Sequence, residues 1–129
     1  EINYKRKTMG RTFNVGGTAQ GVVVSADGTR LYVANESTNR VDAINLSAGN
    51  AAGFVATSGG GAFDLQLSTD GTQLWASLSG AGRVDVYDRA TLTLVRTVKT
   101  GGTPRRIGLT PASGLIVVGN EAGAVDFIK

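Results

Sequence analysis

Apolar residues along this chain come in short runs broken by glycine, asparagine, aspartate, serine and threonine. No segment holds a 3.6-residue apolar spacing over three turns, so the pattern predicts strands and not helices. The runs Val22-Val23-Val24, Leu65-Gln66-Leu67 and Ile107-Gly108-Leu109 each read as a first strand. Leu31-Tyr32-Val33-Ala34, Leu74-Trp75-Ala76-Ser77 and Leu115-Ile116-Val117-Val118 follow as second strands, reached through Asp27-Gly28 and Asp70-Gly71, a pairing favoured in two-residue hairpins. Third strands are predicted at 41–46, 84–87 and 125–128, and fourth strands at 53–57 and 94–99.

These elements recur. Asp27-Gly28-Thr29 returns 43 residues later as Asp70-Gly71-Thr72, and a degenerate copy, Ala112-Ser113-Gly114, starts 42 further on. Glycine doublets (Gly16-Gly17, Gly59-Gly60, Gly101-Gly102) and the triplets Arg40-Val41-Asp42, Arg83-Val84-Asp85 and Ala124-Val125-Asp126 keep the same period. Four short antiparallel strands in roughly 42 residues is the size of a β-propeller blade, whose sheet is buried on both faces by its neighbours. The expected fold is therefore all-β: about three four-stranded antiparallel sheets in one propeller-type domain over 1–129. Its blades are set at 16–58, 59–100 and an incomplete 101–129. Residues 1–15 read as a strand completing a blade, because Tyr4, Arg6, Thr8 and Arg11-Thr12-Phe13 mirror Tyr87, Arg89, Thr91 and Arg96-Thr97-Val98. Three blades do not close a ring. The arc is expected to be part of a larger propeller or half of a six-bladed dimeric ring.

The run Ser25-Ala26-Asp27-Gly28-Thr29-Arg30-Leu31-Tyr32-Val33-Ala34-Asn35, followed by Asn39-Arg40-Val41 and later by Gly101-Gly102-Thr103-Pro104, resembles the YVTN-type β-propeller repeat. Alanine replaces the usual threonine at position 34, and the second and third units match more loosely. The resemblance implies the propeller fold. It leaves function open among surface-layer proteins, periplasmic binding proteins and relatives of lactonases and quinoprotein subunits. The expected location is periplasmic, secreted or cell-surface.

Composition narrows the chemistry. The chain has 129 residues and neither cysteine nor histidine. That removes disulfides, thiol nucleophiles, Cys/His zinc sites and imidazole-based triads. Thirteen basic residues against ten acidic give a net charge of +3. The basic residues are scattered apart from Lys5-Arg6-Lys7 and Arg105-Arg106, and no basic-aromatic ladder accompanies them, so nucleic acid is not an expected partner. No apolar run is long enough for membrane insertion. A start at Glu1 with no apolar leader reads as a processed, trimmed or excerpted chain.

The loops leading into the first strands and those joining second to third strands share one face around the central channel, where a rigid scaffold carries variable side chains. That face is expected to present Gln20, Asn35, Glu36, Phe63, Asp64, Arg105, Arg106, Asn120 and Glu121 as ligand-binding residues. The Arg105-Arg106 pair suits a carboxylate or phosphate, and an ion pair with Asp64 or Glu121 is the structural alternative. Asp42, Asp85 and Asp126 recur in every unit and read as structural acceptors. Tyr32 and Trp75 read as packing between blades. The Asp-Gly turns lack calcium-loop spacing, and Gly59-Gly60-Gly61 precedes a strand and no helix, so neither is a cation or phosphate loop.

The leading functional expectation is a non-enzymatic binding or surface scaffold, with no cofactor or metal. Its partner would be an unidentified ligand or protein, anionic in the case of the arginine pair, alongside a second copy or the rest of a longer propeller. One alternative is a piece of a lactonase-like propeller enzyme with a divalent metal held by Asp64, Glu36, Glu121 and Asn120. Another is a self-assembling half-propeller whose role is structural.

Overall fold

The computed structural model describes residues 2–3 and 8–129, and within them every regular element is a strand. Strands β1 (Ile2–Asn3) and β2 (Thr8–Met9) pair with each other. The first full sheet is β3 (Ala19–Val24), β4 (Arg30–Asn35), β5 (Arg40–Asn45) and β6 (Asn50–Ala56). The second is β7 (Ala62–Leu67), β8 (Gln73–Leu78), β9 (Arg83–Asp88) and β10 (Thr93–Lys99). The third holds β11 (Pro104–Leu109), β12 (Ile116–Asn120) and β13 (Ala124–Ile128). Each sheet is an antiparallel meander in sequence order, as propeller blades require. Tyr4 and Arg6, from the proposed N-terminal repeat of a blade end, lie outside the described residues.

The connection after β3 is longer than the two residues expected. Gly28 N donates to Ser25 O, Ser25 N donates to Arg30 O, and Gly28 takes φ 69°. The Asp27 carboxylate closes the turn by accepting from Ser25 Oγ, Thr29 N and Thr29 Oγ1 through one oxygen. Ser68, Asp70 and Thr72 repeat this arrangement. In the third unit Thr110 and Ser113 share a hydroxyl contact in its place.

Two apolar layers lie between the three sheets. Tyr32, Ala34, Val41 and Ala43 of the first sheet meet Leu65, Leu67, Leu74 and Tyr87 of the second. Trp75, Val84 and Val86 leave the other face of the second sheet and meet Ile107, Ile116, Val118 and Ile128 of the third. Tyr32 and Trp75 are thus packing residues between blades. The outer faces of the arc are apolar too: Val22 and Val24 at one end, Val125 and Phe127 at the other, are all exposed. Their counterparts by repeat position, Leu65, Leu67, Val84 and Val86, are buried by a neighbouring sheet. Among the described residues no helix is long and apolar enough to cross a membrane.

Residues 11–15 pack against the first sheet. Arg11 Nη1 donates to Leu46 O, and Val15 O accepts from Arg40 Nη2. Arg96, at the equivalent place on β10, donates to Lys129 O at the end of the third sheet. Residues 11–13 themselves form no strand, unlike their sequence counterparts 96–98 in β10.

Candidate functional site

The innermost strands β3, β7 and β11 lie side by side across the three sheets, so the arc closes on them. Here the structure corrects one expectation. Gln20, Phe63, Asp64, Arg105 and Arg106 are not in loops but within the first strands, which begin earlier than the apolar runs suggest. Each strand carries a register shift at this point, between Ala19/Val22, Ala62/Asp64 and Pro104/Arg106. A bulge of this kind re-aims side chains, and polar residues there hide the strand from a reading by apolar alternation.

Repeat position places Gln20, Phe63 and Arg105 in one row and Gly21, Asp64 and Arg106 in the next. The buried Phe63 ring is flanked by both arginines, with Arg105 Cζ 4.6 Å and Arg106 Cζ 5.3 Å from its centroid. Cations over an aromatic face are attracted by its quadrupole, by about 0.5–1 kcal/mol at exposed sites. Arg105 Nε lies 2.9 Å from Glu121 Oε2 but off the N–H direction, an ion contact and not an aligned hydrogen bond. Arg106 Nη1 is 3.9 Å from Asp64 Oδ2, and its side chain is 76% exposed. Asp64 itself is held by the backbone, accepting from Leu65 N and, across the sheets, from Ile107 N.

A groove of about 500 Å³ opens here, lined by Phe63, Arg105, Arg106, Asn120, Glu121 and their neighbours. Two positive charges over one aromatic floor, each already near a carboxylate, form a surface that can trade a weak internal ion pair for an anionic ligand. Gln20 and Glu36 pair with each other through Nε2 and Oε2, apart from this groove. Asn35 is fully buried at the end of β4, and its Nδ2 donates to Gly16 O and Asp42 Oδ2. Asn120 lines the groove but clamps the chain in the same way, through Gly101 O and Asp126 Oδ2.

Two residues that the sequence pattern did not assign to the site hold it together. Ser77 is fully buried: its Oγ donates to Arg105 O and accepts from Asp64 N, joining β7 to β11 under the groove. The signal was a lone hydroxyl where the other units carry Ala34 and Gly119. Gly21 is the other, since a Cβ there would strike the side chain and backbone of Asp64.

The four oxygen donors suggested for a divalent metal do not converge. Asp64 faces Arg106 and Ile107 N, Glu121 faces Arg105, Glu36 faces Gln20, and Asn120 faces Asp126. Among the described residues no three Asp or Glu side chains gather at one point. The donor set does not fit a metal.

The three meander sheets define a β-propeller arc. A family model described as "Lactonase, 7-bladed beta-propeller" matches residues 10–125, and the chain belongs to that family. Among solved structures, hydrazine synthase of Kuenenia stuttgartiensis is similar at 21% identity and a TM-score of 0.90, over 99% of this chain and 38% of that one. A Bacteroides fragilis protein provisionally named a 6-phosphogluconolactonase is similar at 24% identity and a TM-score of 0.76, over 99% of this chain and 45% of that one. The chain therefore spans less than half the length of either. Comparison with curated proteins finds no match. The family overturns the expectation of a non-enzymatic scaffold, which rested on the lack of histidine, cysteine and any catalytic motif: the propeller family to which the chain belongs is one of lactonases.

Proposed function

We propose that this chain is part of a lactonase-like propeller whose groove beside Phe63 receives a lactone carrying an acidic group. The observation that carries the reading is Arg106, exposed and 3.9 Å from Asp64, beside Arg105 on the same ring. A guanidinium held by a long ion contact and the Phe63 face keeps its N–H groups available for bidentate bonding to a carboxylate or phosphate. The phosphorylated gluconolactone implied by the name of the Bacteroides protein is a substrate of this class.

Lactone hydrolysis adds water to the ester carbonyl and breaks the ring C–O bond, leaving a hydroxy acid. In this reading Glu121, set against Arg105 and open to the groove, takes a proton from the attacking water and returns it to the ring oxygen that leaves. A guanidinium beside the carbonyl stabilises the charge that develops on its oxygen. The blades are further read as YVTN-type, and the location as extracytoplasmic. Further blades, from a longer chain or a second copy, cover Val22 and Val24 at one end and Val125 and Phe127 at the other.

The test is hydrolysis of 6-phosphogluconolactone in a pH-stat, measured against its spontaneous rate. Acceleration that Arg106→Ala lowers by about tenfold or more, the loss of one charge-assisted hydrogen bond, supports the reading. A rate equal to the blank in the assembled ring, or one unchanged by Arg106→Ala, overturns it.

A further inference from the structure

At the opposite ends of the strands, a cavity of about 310 Å³ opens between the first and second sheets. Tyr32, Ala43 and Ala52 form its floor, and Asp27, Arg30 and Arg89 stand around it. Repeat position shows why this interface has a cavity. Where the first sheet has Ala43, Ala52 and Gly53, the second has Val86, Val95 and Arg96. There the Arg96 guanidinium covers the Trp75 ring, 5.1 Å from its centroid. Tyr32 is the counterpart of Trp75, and Gly53 stands in place of an arginine beside it; the tyrosine is itself 3% exposed and gives the cavity only a small part of its surface, the wider opening lying against Ala52 and Leu92.

Both arginines at this cavity belong to their own units alone. Gln73 stands where the second sheet matches Arg30, and Leu46 stands where the first matches Arg89. Among the described residues neither makes an ion pair or a side-chain hydrogen bond, and the Nε of Arg89 is buried without a partner. A buried, unpaired donor on a charged group is costly unless something accepts from it. Asp27 and Asp88 are the nearby carboxylates, and the Arg89 charge favours the ionised form of each. Neither lies within ion-pair distance of Arg30 or Arg89, and one oxygen of Asp27 is already committed to Ser25 and Thr29.

We propose that this cavity is a second binding site, for a small molecule bearing a carboxylate or phosphate, held by Arg30 and Arg89 beside Tyr32. The site is independent of the lactonase reading, since it shares no residue with the groove at Phe63.

Calorimetry with inorganic phosphate and with benzoate, joined to NMR shifts at Tyr32, tests it. Benzoate adds a flat apolar body that can meet Ala52 and Leu92, so the stronger of the two probes names the preferred chemistry. Arg89→Met, and separately Ala43→Val (the second sheet's own residue at that position), are expected to weaken binding at least about tenfold. Arg30→Gln, which copies Gln73, supplies a variant whose packing the repeat already tolerates. Arg106→Ala is expected to leave the Tyr32 shifts unchanged. The proposal is overturned if neither probe moves Tyr32, if Arg89→Met binds as the parent does, or if Arg106→Ala abolishes the binding.

Discussion

Asn35 and Asn120 stand at the same position of the first and third sheets and hold equivalent groups. Nδ2 of Asn35 donates to Gly16 O at 2.7 Å and Asp42 Oδ2 at 3.1 Å. Nδ2 of Asn120 donates to Gly101 O at 2.9 Å and Asp126 Oδ2 at 3.3 Å. Each amide thus ties the glycine doublet before its blade to the aspartate of its third strand. The second sheet has Leu78 there, and its aspartate is satisfied by other donors.

Asn35→Ala is expected to destabilise the fold by about 1–3 kcal/mol, because it removes these bonds and leaves the Gly16 carbonyl and Asp42 short of a donor. Asn35→Leu, despite copying Leu78, is expected to cost a similar amount, since the Ser58 and Tyr87 bonds that serve Asp85 have no counterpart at Asp42. Urea denaturation measures both. A Leu variant as stable as the parent would mean that the clamp contributes only packing.

Asp85 is fully buried and accepts four hydrogen bonds, from Ser58 N, Ser58 Oγ, Tyr87 Oη and Thr97 Oγ1. Burial, with the carboxylate as acceptor, pushes the Tyr87 hydroxyl far above its ordinary value. Asp85→Ala strands these donors and is expected to cost about 3 kcal/mol or more, with Asp85→Asn intermediate. Thermal unfolding of the pair decides it, and a cost below about 1 kcal/mol for Asp85→Ala would contradict the assignment.

The turn carboxylates give the fold an acid-side pH dependence. Hydrogen bonds from Ser25 and then Thr29 hold Asp27 at about 2, and Ser68 and Thr72 do the same for Asp70, against an ordinary 3.8. A carboxyl depressed in the folded state contributes stability that is present above the unfolded value and is lost as pH falls through the folded one. These two contributions are therefore expected to fade between about pH 4 and pH 2. Carboxyl NMR titration should show both midpoints near 2, with Ser25→Ala and Ser68→Ala moving each toward 3.8. Midpoints at 3.8 in the parent would contradict the turn geometry.

The order of the strands was legible because Asp-Gly-Thr and the glycine doublets mark where the chain must turn, and the apolar runs between them are short. The recurrence of Asp42, Asp85 and Asp126 marked them as structural acceptors, and they are: Asp42 also lies 2.8 Å from Arg40 Nε. Both suggested partners of the arginine pair were found, Glu121 for Arg105 and Asp64 for Arg106. The site was less legible. Gln20, Phe63 and Arg105 lie on strands broken by bulges, which an alternation rule reads as loop. Asn35 looks like a loop asparagine from its neighbours Glu36 and Ser37, yet its amide is spent on a carbonyl nineteen residues back. Ser77 works across two sheets, and no local pattern reports a contact with Arg105.

The claim that the arginine pair beside Phe63 binds the acidic group of a lactone is tested most directly by calorimetry with 6-phosphogluconate, the stable hydrolysis product. The titration is run in an Arg89→Met background so that the cavity between the first two sheets does not contribute. Binding that falls at least about tenfold in Arg106→Ala, with a smaller loss in Arg105→Ala because that side chain also answers Glu121, is the predicted result. Binding of equal strength with and without Arg106 would contradict it.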